Sequence, residues 1–191
     1  MRQMHDLIPR QVLRATKGAR PADALVEVYA RRGDYVDGFH VDVAGEVTLA
    51  EFIDAFFASR AFRSERWLIA ILGNPTSDAA LGALASGASD RFAAWKTEAR
   101  REDEILLSDF TAFTRCWLKV APAPGRLVSA SRLFFGTAFT RGSRPGVGNL
   151  LLRLLFAALR PLHAFYARTL LDSAAARLFR ERRAGRAGRQ D

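Results

Sequence analysis

Cys116 and His163 are the residue types from which a nucleophile and its base are made, a thiolate that attacks and an imidazole that takes its proton. Their surroundings point elsewhere. Cys116 stands between Arg115 and Trp117 in an alternating stretch and shares parity with Leu118 and Val120, an apolar face on which a lone thiol packs as a small hydrophobe. His163 follows Leu159 and precedes Tyr166 at helical spacing. It is the best acid/base or ligand-orienting candidate, since imidazole donates, accepts and titrates near neutrality; capping a buried carbonyl is the competing role. Arg115 shares parity with Phe113 and Trp117, where a guanidinium can stack on a ring or hold a carboxylate in two bonds, or simply meet water. Asp34 and Asp37 are three residues apart, a spacing that keeps two extended-strand carboxylates off one face and predicts turn bonding instead of paired-carboxylate chemistry. Glu98, Glu102, Asp103 and Glu104 cluster with Arg100 and Arg101, as in a solvated charged hairpin. Gly146-Val147-Gly148 precedes a helix, but Leu151 stands where a dinucleotide loop needs its third glycine, so a plain helix entry is expected.

Composition narrows the classes further. The 191 residues are 49% hydrophobic with one cysteine and three dispersed histidines, which suits one domain with its own core and excludes an internal disulfide or a thiolate metal cluster. No metal or other cofactor is called for. The first twenty residues lack a signal-peptide core, and the apolar run 149–159 is interrupted by Arg153 and too short to span a bilayer; a cytoplasmic protein is expected. The net charge of +9 sits at the ends. Residues 1–20 carry five basic groups against one acid, and residues 177–191 carry six arginines against two acids. Between them 18 basic groups face 17 acids. A nucleic-acid-binding fold carries its basic face on the domain, so nucleic acid is not the expected partner. The arginine-rich end could instead touch anionic membrane.

These side chains need elements to position them. A short helix is expected over Ala22–Arg31, stopped by Gly33, followed by a half-buried strand in which Tyr35, Phe39, Val41 and Val43 share a face. Thr48 and Glu51 form a capping box ahead of the stripe Leu49, Phe52, Ile53, Phe56 and Phe57. Further helices are expected from Ser64 and over Asp78–Ala85. From Asp90 the period becomes two, giving strands at Arg91–Arg100, Glu104–Asp109, Phe113–Val120 and Leu127–Phe139, joined by short turns as an antiparallel meander with one wet face. After the loop 140–148 a helix runs to about Arg183. Its apolar stripe includes Leu151, Leu155, Leu159, Leu162, Phe165, Tyr166 and Leu170, and Pro161 should kink or divide it. The class is α+β: an N-terminal extension over 1–33, a main domain over 34–180 and a basic tail over 181–191.

This element order resembles the helix-grip superfamily called START/Bet v 1-like, polyketide cyclase-like or SRPBCC, in which a curved antiparallel sheet packs on a long C-terminal helix. Asp34-Tyr35-Val36-Asp37-Gly38-Phe39 is similar to the Asp-Tyr-x-Asp-x-Phe opening of bacterial families associated with it. Phe92 to Trp95, Leu107 to Asp109, Arg115 to Leu118, Leu133 to Gly136 and Arg160 to His163 add to the likeness. The resemblance implies a cavity between sheet and helix that relatives use for lipids, hormones or polyketides. Strand parity would then wall it with Trp95, Thr97, Leu107, Leu118, Phe135 and Thr137, with Arg115 as a possible polar contact and His163 and Tyr166 closing it from the helix. The function expected is binding of an apolar or amphipathic small molecule or lipid. A cyclase- or dehydratase-type enzyme on the same fold, with His163 as its acid/base, and a peripheral membrane protein using the C-terminal helix and arginine tail are the alternatives.

Overall fold

The fold is given by a computed structural model that describes residues 14–62, 77–125, 129–140 and 147–187, with side chains of the last stretch described from Pro161 to Ala184. Among the described residues, eight antiparallel strands form one curved sheet: β1 (Thr16–Lys17), β2 (Tyr35–Val36), β3 (Phe39–Ala44), β4 (Arg91–Phe92), β5 (Trp95–Arg100), β6 (Glu104–Asp109), β7 (Thr114–Pro122) and β8 (Ala130–Phe139). Their order is β1-β3-β8-β7-β6-β5-β4, and β2 also pairs with β8. Among the described residues the helices are α1 (Glu27–Arg31), α2 (Leu49–Phe57), α3 (Asp78–Ser86) and α4 (Val147–Ala187). With α2 to α4 on the concave face, this is the α+β helix-grip arrangement.

Local chemistry sets most boundaries. The Thr48 hydroxyl accepts from the Glu51 N–H at 3.2 Å while Glu51 accepts from the Thr48 N–H at 2.7 Å, so two otherwise orphaned helix donors are satisfied at the start of α2. Ser77 caps α3, and Gly87 ends it at φ 81°. The expected strand over 91–100 is two strands: Ala93, at φ 53°, turns the chain so that Phe92 pairs with Trp95. The helix expected from Ser64 begins in a stretch outside the described residues.

The core on the concave face owes most to α2. Phe56 and Phe57 meet edge to face at 5.3 Å, Phe57 reaches Phe62 at 4.9 Å and Phe92 at 5.4 Å, and Phe56 lies 4.8 Å from Phe135 of β8. From α4, Ala167, Leu170, Leu171, Ala174, Ala175 and Leu178 complete this core; their spacing is one helical stripe, and its alanines admit a close approach. That stripe is rotated from the expected one: Leu162 and Phe165 are 63% and 68% exposed. Leu151, Leu155 and Leu159 have side chains outside the described residues. Pro161 does not divide the helix, which runs continuously from Val147 to Ala187. Nor do the arginines after Ala175 all trail into solvent. Arg177 reaches Asp54 and the Ala58 carbonyl, and Arg182 donates to the Ala44 carbonyl at 2.6 Å and to that of Glu46.

The second face is not simply wet. Ala24, Val26 and Tyr29 cover Leu106, Trp117, Phe134 and Ala138 in a separate buried cluster. The expected solvated hairpin is corrected here as well. Glu104 is fully buried, and its Oε2 accepts from the Leu25 N–H at 3.0 Å and from Trp117 Nε1 at 2.8 Å, while Oε1 takes Arg101 at 2.6 Å. A bulge between Thr97 and Ala99 releases Glu98 from the ladder. Tyr29 donates to Glu98, Arg115 Nε lies 2.6 Å from the same carboxylate, and burial together with the Glu98 bond holds the Tyr29 phenol above its usual pKa. Past the bulge, Arg100 donates to the last-turn carbonyls of α3 at Leu84 and Ala85.

Replacing Glu104 with leucine should lower stability by about 3–5 kcal/mol, the usual loss when one partner of a buried charged network is removed. Glu104→Gln, which retains an acceptor for Leu25 and Trp117, should lose much less; urea unfolding distinguishes the two. His40 supplies a pH test. Burial, then Arg132, depress its pKa against the opposing pull of Asp42, so the fold prefers the neutral ring. Its contribution is therefore full above the unfolded value of about 6.5 and is lost as pH falls through the lower folded value. The stability advantage of the native chain over His40→Gln should thus grow between pH 5 and pH 7.5.

Candidate functional site

A cavity of about 190 Å³ lies between the concave face and α4. Its deep wall is buried: Phe56 and Phe57 from α2, Phe62, Cys116 from β7, Phe135 and Thr137 from β8, and Leu170 from α4. Half-buried Trp95, Thr114, Arg115, Phe139, His163 and Tyr166 ring the outer part. Strand alternation sends Cys116, Phe135 and Thr137 inward while Trp117 and Phe134 go to the opposite face. The phenylalanines of α2 pack between sheet and helix, and the cavity lies beside them at the end of the sheet marked by Thr114 and Phe139.

That end is polar because of a break in the sheet. Val36 pairs with Ala138 and Phe39 with Phe135, so β2 and β3 keep one register across Asp37 and Gly38. Opposite Thr137, Asp37 donates its own N–H to the Thr137 carbonyl at 3.0 Å, but Thr137 N–H goes to the Asp37 carboxylate Oδ1 at 2.9 Å. A side chain thus takes the ladder position of a backbone carbonyl. The displaced Asp37 carbonyl passes Gly136 so closely that an added Cβ would sit 2.8 Å from it and 2.9 Å from the Trp117 ring. Asp37 is 2% exposed, and its Oδ2 lies 3.2 Å from His163 Nε2 on α4. The imidazole also stands edge-on to Phe139 at 5.2 Å. Thr137 Oγ1, in a residue 4% exposed, has no hydrogen-bond partner among the described residues.

Six of the nine expected site residues border this cavity: Trp95, Arg115, Phe135, Thr137, His163 and Tyr166. Arg115 does so without offering its charge, because its guanidinium bonds Glu98, the Tyr29 hydroxyl at 2.8 Å and the Ala112 carbonyl at 2.7 Å. Leu107 and Leu118 are buried in the main core and Thr97 is half-buried on β5, and all three lie outside the cavity. Leu118 pairs with Phe135, over which Phe56 is already packed. Asp37 is the residue that sequence reasoning assigned to a turn and the structure places at the site. Cys116 does enter the wall, but Thr137 separates it from Asp37.

Among the described residues no group of three or more His, Cys, Asp or Glu is placed to hold a metal ion, and no helix is long and apolar enough to cross a membrane. What the arrangement can do chemically is bury an apolar body against aromatic rings while presenting hydroxyl groups, a thiol and an imidazole to it. Asp37→Ala should leave the Thr137 N–H buried without an acceptor, a loss of about 1–3 kcal/mol for that donor alone, and should also free α4 from the sheet at His163. Asp37→Asn, which can keep the Oδ1 acceptor, should recover most of the unfolding midpoint in urea.

Comparisons with protein-family models, curated proteins and solved structures return no match to this chain.

Proposed function

We propose that this protein binds a compact apolar or amphipathic small molecule in the cavity between its sheet and α4, as a member of the START/Bet v 1-like group that its element order resembles. The observation that carries this reading is the buried aromatic wall around about 190 Å³ of space. Ligand sites are concave, mostly apolar and equipped with a few polar groups that set orientation, and this wall has that composition. Volume decides the size of the occupant. An apolar cavity of about 150 Å³ holds a benzene molecule, whereas drug-sized ligands need about 300 Å³ or more. A single ring with a small substituent fits; a lipid would leave most of its chain outside.

The cyclase or dehydratase alternative needs a ring nitrogen of His163 aimed at a substrate. Its Nε2 faces Asp37, which favours a tether between helix and sheet, so binding ranks first. Membrane docking through the arginine-rich end ranks lower too, since Arg177 and Arg182 are bonded within the fold.

Toluene at millimolar concentration should raise the melting temperature in a dose-dependent way, as ligands that bind only the folded state do, and should alter the fluorescence of Trp95. Cys116→Phe, which projects a ring from the deep wall into the space, should abolish both responses while leaving a cooperative unfolding transition. A chain that shows neither response, and retains no small molecule in native mass spectrometry, does not use this cavity for binding.

A further inference from the structure

Thr137 carries an inference that rests on the binding reading and narrows it. Three inward-facing positions on the concave side form one row across the sheet: Cys116 pairs with Thr137 across β7 and β8, and Thr137 exchanges bonds with Asp37 on the far side. Both backbone groups of Thr137 are thereby satisfied by Asp37. Its hydroxyl is not. Thr137 is 4% exposed, lines the cavity, and its Oγ1 has no partner among the described residues. A buried hydroxyl left without a hydrogen bond is destabilising, and buried polar groups in folded proteins rarely stay in that state. The missing partner belongs in the cavity that the hydroxyl lines.

The surroundings specify that partner. The rings of Phe56, Phe57, Phe135 and Tyr166 favour an aromatic body. Charge disfavours an acid: the Asp37 carboxyl group stands beside Thr137, and among the described residues the guanidinium at the wall, that of Arg115, is already held by Glu98. An anion would meet that carboxyl group and, among the described residues lining the cavity, no guanidinium left unbonded. A plain hydrocarbon would leave Oγ1 unsatisfied. We infer that the cavity takes a compact, uncharged aromatic molecule bearing one hydroxyl group, anchored by a hydrogen bond to Thr137 Oγ1.

Calorimetric titration of the full chain with p-cresol, toluene and p-toluate tests this, because the three differ only in the group offered to Thr137. p-Cresol should bind about three- to tenfold more tightly than toluene, the range of one net hydrogen bond, and p-toluate should show no binding. Thr137→Val should bring p-cresol down to the toluene level, leave toluene as tight or tighter, and leave the melting temperature of the empty protein unchanged or raised, since the hydroxyl it removes has no partner to lose. Thr137→Ser should keep the preference for p-cresol. Equal affinity for p-cresol and toluene, as when an ordered water satisfies the hydroxyl, overturns the inference while leaving the binding reading intact. So does a preference that survives in Thr137→Val, or binding of p-toluate. If toluene also fails to bind, the binding reading falls as well.

Discussion

A carboxylate used in place of a backbone carbonyl governs the architecture of this protein. Asp37 is buried at the point where β2 gives way to β3, and its Oδ1 takes the Thr137 N–H that its own carbonyl would normally accept. A carboxyl group is stable in such a buried place only when its oxygens find partners. Oδ1 has Thr137, and Oδ2 has His163 at 3.2 Å with the Tyr35 hydroxyl at 3.5 Å. The same side chain therefore keeps the strand in register, orients Thr137 and meets α4 at His163. Gly136 is part of this device, because any side chain there would strike the displaced carbonyl.

Around that point the two faces of the sheet are closed by different means. On the concave face, closure is aromatic, with the phenylalanines of α2 packed edge-on or tilted against one another and against Phe135. Rings in such orientations pack densely but do not extend to the polar row, and the cavity lies between the two. On the other face, closure comes from the segment ahead of β2, which brings Tyr29 and the Leu25 N–H onto the sheet. There Glu104 and Glu98 act as acceptors for groups that would otherwise be buried without partners. The sheet is thus a central layer between a charge network and an apolar cavity, and Arg115, at the cavity rim, belongs to both.

Much of this was legible in residue order because it depends on near neighbours. A capping box needs only Thr48 and Glu51, and the opposed burial of Phe134 and Phe135 follows from alternation alone. The stripe of α4 was less legible. An apolar sequence such as that around Leu162 and Phe165 leaves several rotations of the helix open, and the fit of Ala167, Ala174 and Ala175 against the sheet selects one. The acidic groups were misread for a related reason. Asp37 meets Thr137 exactly one hundred positions later and Glu104 meets Leu25 seventy-nine positions earlier, and no local pattern distinguishes such carboxylates from those that stay in water.

By itself, then, the sequence determined the classes of the longer elements, their order and the inward face of the longer strands, since backbone geometry converts spacing into direction over a few residues; the short β1 and the breaks at Asp37 and Ala93 were not in it. It also determined that the middle of the chain is nearly neutral, so that recognition there would rest on shape and apolar contact. Only the tertiary structure decided which polar side chains would be buried and how much space would be left among them. Those outcomes depend on which distant strands become neighbours, and for Thr137 they place a hydroxyl in an aromatic cavity with both of its backbone partners on Asp37.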